Sequence, residues 1–176
     1  MRKLANQELD RLSVEEFKKA PKTPLIVVLD NVRSLNNVGS VFRTCDAFRV
    51  EKIYLCGITA TPPHKDIHKT ALGSTESVEW DYVEKTSDLA KQLKSSGIKL
   101  IGIEQTENAV PLQDFDPQKG VTYAIIFGHE VNGIDQDVID ICDQCIEIPQ
   151  FGTKHSLNVA VSAGITIWDL YSKIAL

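Results

Sequence analysis

The side chains able to hold a ligand or carry a reaction gather in three polar, glycine-bearing segments: residues 30–39 (DNVRSLNNVG), 128–133 (GHEVNG) and 149–158 (PQFGTKHSLN). The second has the paired glycines of a phosphate loop. Ile134-Asp135 stands, however, where a Lys-Ser/Thr pair would meet the phosphates, which disfavours nucleoside triphosphate hydrolysis. Glu130 adds negative charge to the same loop and suits a ligand other than a phosphate. No Gly-x-Gly-x-x-Gly follows the first apolar run, so a dinucleotide-binding oxidoreductase is also disfavoured. Cys142-x-x-Cys145 lacks a second pair at zinc-ligand spacing, so the four cysteines read as structural thiols and no metal is expected. His64 and His68 share an i, i+4 spacing, but Pro62-Pro63 predicts a loop there and no carboxylate cluster joins them. With Lys65 and Lys69 they are assigned to the surface.

Each remaining candidate has a structural reading beside a functional one. Asn37 and Ser156 open helices and suit capping. Glu130, between Gly128 and Gly133, suits acceptance of backbone N–H groups in a tight turn, and those glycines let a backbone approach a ligand closely. Arg43 projects away from the apolar stripe of Val38, Val41, Phe42 and Cys45, so alone it reads as a solvated helix arginine.

Strands alternating with helices must position these segments. Runs at 25–29 and 123–127 are continuously apolar, the pattern of strands buried on both faces. Further strands are expected at 52–56, 78–82, 98–103 and 145–148, and helices at 36–48, 87–94, 136–141 and 156–174. Residues 108–119 read as a loop. The pattern predicts an α/β domain with a mostly parallel sheet flanked by helices, with ligands at the carboxyl ends of the strands. A first helix over 3–19, with a capping-box pattern from Ser13 to Glu16, ends at Pro21 and Pro24. Residues 1–24 are thus an N-terminal helical extension to a domain at 25–176. The last helix is apolar nearly all round, and its small residues Ala160, Ala163 and Gly164 predict an isologous partner subunit.

Composition bounds the function classes. A chain of 176 residues with 43% apolar and 24% charged residues has the make-up of one globular domain. No apolar run reaches the length of a membrane span, and the N-terminus turns polar before a signal peptide's apolar core would form. A cytoplasmic protein with reduced thiols is expected. A net charge of −5 argues against a wholly basic nucleic-acid-coating surface.

Three motifs in order carry a more specific signal. They are Asn31-Val32 with Asn37 and Arg43-Thr44-Cys45-Asp46-Ala47, then Phe127-Gly128-x-Glu130-x-x-Gly133-Ile134, then Ile148-Pro149-x-x-Gly152 with Ser156-Leu157-Asn158-Val159-Ala160-Val161. Together they resemble the SpoU/TrmH family, RNA 2′-O-ribose methyltransferases of the SPOUT superfamily, from about Leu25 onwards. The resemblance implies a deep trefoil knot in the C-terminal third that forms an S-adenosyl-L-methionine pocket, in a homodimer with a shared active site. It implies the minimal form of the family, extended only by the N-terminal helix. The implied catalytic set is Arg43, Asn37, Glu130, Ser156 and Asn158, with Arg43 meeting the Ser156–Asn158 triplet across the dimer. The implied cofactor set is Glu104, Thr106, Gly128, Gly133, Ile148 and Leu157, with Ile148, Phe151 and Leu157 forming an adenine slot.

The implied substrate is a ribose 2′-hydroxyl of tRNA or rRNA; the alternative is a non-catalytic RNA-binding or assembly factor of the same fold. A guanidinium is a poor base, so Arg43 is expected to hold the phosphate beside the target ribose and align its hydroxyl. No metal is required, because the sulfonium supplies both electrophile and leaving group. Local cations at Arg33, Arg43, Lys65, Lys69 and Lys154 are expected to bind the RNA, with affinity falling as salt rises.

Overall fold

The computed structural model describes residues 1–5 and 8–176. In chain order its elements are α1 (Val14–Lys19), β1 (Thr23–Asp30), α2 (Leu35–Ala47), β2 (Val50–Cys56), α3 (Lys65–Ala71), α4 (Ser74–Ser77), β3 (Glu79–Val83), α5 (Thr86–Ser95), β4 (Lys99–Ile103), β5 (Val110–Pro111), β6 (Tyr123–Phe127), α6 (Gln136–Ile139), β7 (Gln144–Glu147) and α7 (Val159–Ala175). The strands form one seven-stranded sheet in the order β3-β2-β1-β6-β4-β7-β5. Every pairing is parallel.

The apolar runs at 25–29 and 123–127 become neighbouring central strands, with Leu25 opposite Tyr123 and Leu29 opposite Phe127. Successive side chains of a strand point to opposite faces, so such runs feed two cores at once. Leu25, Val27, Leu29, Ile125 and Phe127 pack under α2, α3 and α7 with Phe42, Ile67 and Ile167. Ile26, Val28, Ala124 and Ile126 pack on the other face with Leu89 and Leu93 of α5 and Val138 of α6. The sheet thus holds its helices rigidly on both faces, and the loops at its carboxyl edge inherit that rigidity.

Local chemistry explains where elements depart from expectation. The helix expected at 3–19 forms only at Val14–Lys19, where Ser13 and Glu16 close a complete capping box. Upstream, Leu4, Leu9 and Leu12 stay exposed, so no packing stabilises a longer helix; positions 6 and 7 lie outside the described residues. The loop expected after Pro62-Pro63 contains α3, which starts because the His64 imidazole accepts the Asp66 N–H. The short helix α4 was not expected at all. Within the loop read at 108–119 lie β5 and a turn of 3-10 helix at Leu112–Asp114; Pro111 is tolerated because β5 is an edge strand. Among the described residues no helix is long and apolar enough to cross a membrane.

Candidate active site

β1 ends in a turn built by two side chains. Asn31 adopts a left-handed conformation (φ 56°), which asparagine tolerates better than most residues, and its Oδ1 accepts the Ile58 N–H at 3.1 Å. Thr59 Oγ1 donates to Leu29 O and accepts from Val32 N. The loop after β2 thereby clamps the first motif. Ser34, not Asn37, caps α2 by accepting from Asn37 N, so the Asn37 side chain is free for other bonds.

Those bonds join all three motifs. Glu130 receives the backbone N–H groups of Arg33 at 3.0 Å and Ser34 at 2.9 Å, and the Asn37 amide at 3.3 Å. Burial raises the Glu130 pKa, but the hydrogen bonds from the backbone of Arg33, Ser34 and Glu130 itself and from the Asn37 amide together outweigh it and hold the carboxyl below the usual glutamate range. On its other side Asn37 Oδ1 accepts from Asn158 Nδ2 at 3.1 Å. Asn158, not Ser156, caps α7 by accepting from Ala160 N and Val161 N. The helix expected from 156 therefore begins at Val159, and Ser156 remains in the preceding loop. Glu130, Asn37 and Asn158 form a continuous hydrogen-bonded chain.

Beside this chain, at the carboxyl ends of β4, β6 and β7, lies a cavity of about 490 Å³. Its walls include Glu104, Thr106, Gly128, Gly133, Ile148 and Leu157, together with Glu130 and Ser156. Gly128 is required by close approach, since a Cβ there would strike the backbone of Gly133 and Ile134. Gly133 adopts φ +71° and pairs with His129 through both backbone groups. The Glu104 carboxylate receives Gln105 N at 2.9 Å and Ile134 N at 3.1 Å; it braces the turn that covers it. Gln105 Nε2 donates to His155 O at 3.1 Å, closing the wall between the 104–106 and 149–158 loops.

Four residues expected at the site lie outside the cavity wall. Asn37 and Asn158 stand beside it, while Arg43 is exposed on the outer face of α2, with no side-chain hydrogen bond among the described residues. Phe151 departs from the expected adenine slot, being 97% exposed. Lys154 is exposed and His155 lines the mouth. His129 Nδ1 accepts from Val131 N and Asn132 N, so the imidazole folds the 129–133 turn. Sequence reasoning placed Asp30 in the first polar segment but gave it no role; it is 1% exposed. Burial pushes its carboxyl pKa up, against hydrogen bonds from Thr86 and Asp135 N. An acid directly after the apolar run 25–29 was the available signal. Among the described residues no group of three or more His, Cys, Asp or Glu is placed to hold a metal.

The profile described as the SpoU rRNA Methylase family matches residues 24–168. The tRNA (guanosine(18)-2′-O)-methyltransferase of Aquifex aeolicus is 30% identical over 149 residues, 82% of this chain and 67% of that protein. The 23S rRNA (guanosine-2′-O-)-methyltransferase RlmB of Vibrio parahaemolyticus is 30% identical over 165 residues, 93% of this chain and 65% of its own. The chain thus spans about two thirds of the length of these curated relatives. Among solved structures, the A. aeolicus TrmH/SpoU tRNA modifying enzyme superposes with a TM-score of 0.79 at 26% identity, covering 91% of this chain and 79% of that one. AviRb of Streptomyces viridochromogenes, solved in complex with AdoMet, shares the fold with a TM-score of 0.78 at 21% identity, over 90% of this chain and 63% of its own.

Proposed function

This chain belongs to the SpoU rRNA Methylase family, and on that premise we propose that it transfers a methyl group from S-adenosyl-L-methionine to a ribose 2′-hydroxyl of tRNA or rRNA. The observation that carries the reading is the convergence of three distant motifs, through Glu130, Asn37 and Asn158, on one cavity. Its volume of about 490 Å³ falls in the range of small-molecule sites. Ile148 and Leu157 offer apolar walls, Thr106 and Gln105 polar ones, and Gly128 leaves room only for backbone. That combination fits a nucleoside-bearing cofactor.

When bound, S-adenosyl-L-methionine supplies a methyl group on a sulfonium, an electrophile with its own leaving group. The protein's task is then alignment. Glu130 ties the 33–37 turn to the 128–133 loop, fixing the substrate side against the cofactor side. Asn158 anchors the start of α7 to the same point. Arg43 holds the phosphate beside the target ribose by a bidentate, charge-assisted contact, and orientation of this kind removes much of the barrier.

Two features support a homodimer with shared sites. Val161, Ile165 and Trp168 form an apolar stripe along α7 with exposures of 49%, 39% and 50%. Phe48 at the end of α2 packs at a tilt against Trp168, with ring centroids 5.5 Å apart, which joins α2 to that stripe. Arg43, turned away from its own cavity, then serves the partner's cleft. The C-terminal third is read as a deep trefoil knot; insertion of β6 between β1 and β4 and the return of Asn158 to Asn37 support it. The reading places the protein with RNA in the cytoplasm.

The test is incorporation of labelled methyl groups into tRNA and rRNA from a strain lacking this protein. Wild type is expected to modify one of them at a 2′-hydroxyl, and Arg43→Ala to lower the rate about 100-fold while calorimetric cofactor binding is unchanged. A wild type that binds RNA but neither binds the cofactor nor methylates either fraction would replace the enzyme reading with an RNA-binding or assembly factor.

A further inference from the structure

The cations of this acidic chain are unevenly partnered. Lys52 bonds Glu79 and Asp81, Lys94 and Lys99 share Asp143, and Lys173 pairs with Asp169. Arg33, Arg43, Lys65 and Lys69 belong to the cations with no carboxylate within ion-pair distance among the described residues, as do Lys85 and Lys91 beside and within α5 on the opposite face. The first four sit on one side of the molecule. Arg33 lies in the turn bonded to Glu130, with which it lines a depression of about 340 Å³. α3 packs beside α2: Thr70 Oγ1 donates to Asn36 O at 3.0 Å, and Gly39 abuts Ile67 and Thr70 so closely that a Cβ would collide. α4 in turn meets α2 further along, where Ser77 bonds Asp46. The last turn of α3, with Lys69 and Thr70, therefore lies against the first turn of α2, next to the 33–37 turn that Glu130 holds.

On α3 the buried side is Ile67 and Ala71. Lys65, His68 and Lys69 are exposed on the opposite side, with Lys65 and Lys69 one turn apart. The nearby acid, Asp66, is turned to His64. Asp66 stands at the edge of this face; Lys65 and Lys69 outnumber it, and the exposed Arg43 and Arg33 stand on the neighbouring helix and turn.

We propose that the outer face of α3 is a docking strip for the phosphodiester backbone of the substrate RNA, with Lys65 and Lys69 each neutralising a phosphate next to those held at the cleft. The proposal rests on the RNA-methyltransferase reading and extends it to how the substrate is gripped. Contacts of this type position the strand without reading its sequence, so the strip supplies affinity and leaves nucleotide choice to the cleft.

The experiment measures binding of fluorescently labelled total tRNA to the full chain over a series of salt concentrations. It compares wild type, Lys65→Gln/Lys69→Gln, and Lys85→Gln/Lys91→Gln, which removes equal charge from exposed positions at and within α5, the helix on the opposite face. The α3 variant is expected to bind about tenfold more weakly, with the slope of log affinity against log salt shallower by about 1.5. The α5 variant should match wild type, as should the cofactor affinity and mass in solution of both variants. Equal weakening in both variants, no weakening in the α3 variant, or a wild type that binds no tRNA overturns the strip. A changed mass for the α3 variant overturns it too, making α3 a subunit contact. If wild type methylates nothing but the α3-specific loss persists, the strip stands and the enzymatic reading falls. Normal methylation with unaltered binding by the α3 variant removes the strip alone.

Discussion

Replacing Glu130 with Gln tests the bracing of the site, because the side chain keeps its size and loses its charge. The carboxylate now receives two backbone N–H groups, from Arg33 and Ser34, at 3.0 and 2.9 Å, and a longer amide contact from Asn37 at 3.3 Å. A hydrogen bond to a charged group contributes about 1.5–3 kcal/mol. Glu130 is only half-buried, so solvent screening reduces each short bond to about 1 kcal/mol. Glutamine retains one acceptor oxygen but turns an NH2 towards a donor, and the expected loss is about 2 kcal/mol. For a domain of this size that lowers Tm by about 4–8 °C.

The loss must also depend on pH. The native Glu130 carboxyl titrates below its ordinary range, so its contribution is complete above the unfolded value of about 4.3 and is lost as pH falls through the lowered native value. Urea denaturation of wild type and Glu130→Gln from pH 7 down to pH 3 is the assay. The gap should be full at pH 7 and shrink towards zero at the acid end. A gap of the same size at both ends would refute the electrostatic account and leave packing as the cause. No gap at pH 7 would refute the brace itself.

Other substitutions separate the cofactor side from the subunit interface. Gly128→Ala drives a Cβ into the backbone of Gly133 and Ile134; it should cost more than about 2 kcal/mol of stability and abolish the calorimetric heat of S-adenosyl-L-methionine binding. Unchanged heat would place the cofactor elsewhere. Trp168→Glu puts charge into the exposed stripe of α7, and light scattering should report a monomer where wild type is a dimer. A monomeric wild type would refute the interface.

The central strands were legible because parallel strands buried on both faces need uninterrupted apolar runs, which 25–29 and 123–127 provide. The N-terminal helix misled for a related reason: Leu4, Leu9 and Leu12 have helical spacing but no partner to bury against, and spacing alone does not stabilise a helix. α3 was hidden by Pro62-Pro63, since a histidine imidazole as N-cap is an uncommon signal. In the site, the glycines and polar types marked the loops around the cavity. The bonds made by Glu130 were illegible, because their donors, Arg33 N and Ser34 N, are backbone groups far away in the chain. The capping roles assigned to Asn37 and Ser156 belong instead to Ser34 and Asn158, each close to the position expected, as is usual for helix ends.

The strand order has a consequence for biosynthesis. Among the described residues β5 pairs only with β7, a segment made later in the chain, and Asn37 waits for Asn158. A nascent chain can settle its early strands while that far border stays open. Ligand-binding competence therefore arrives only once the segment through Asn158 has been added, and products terminated before it emerge inert instead of half-active.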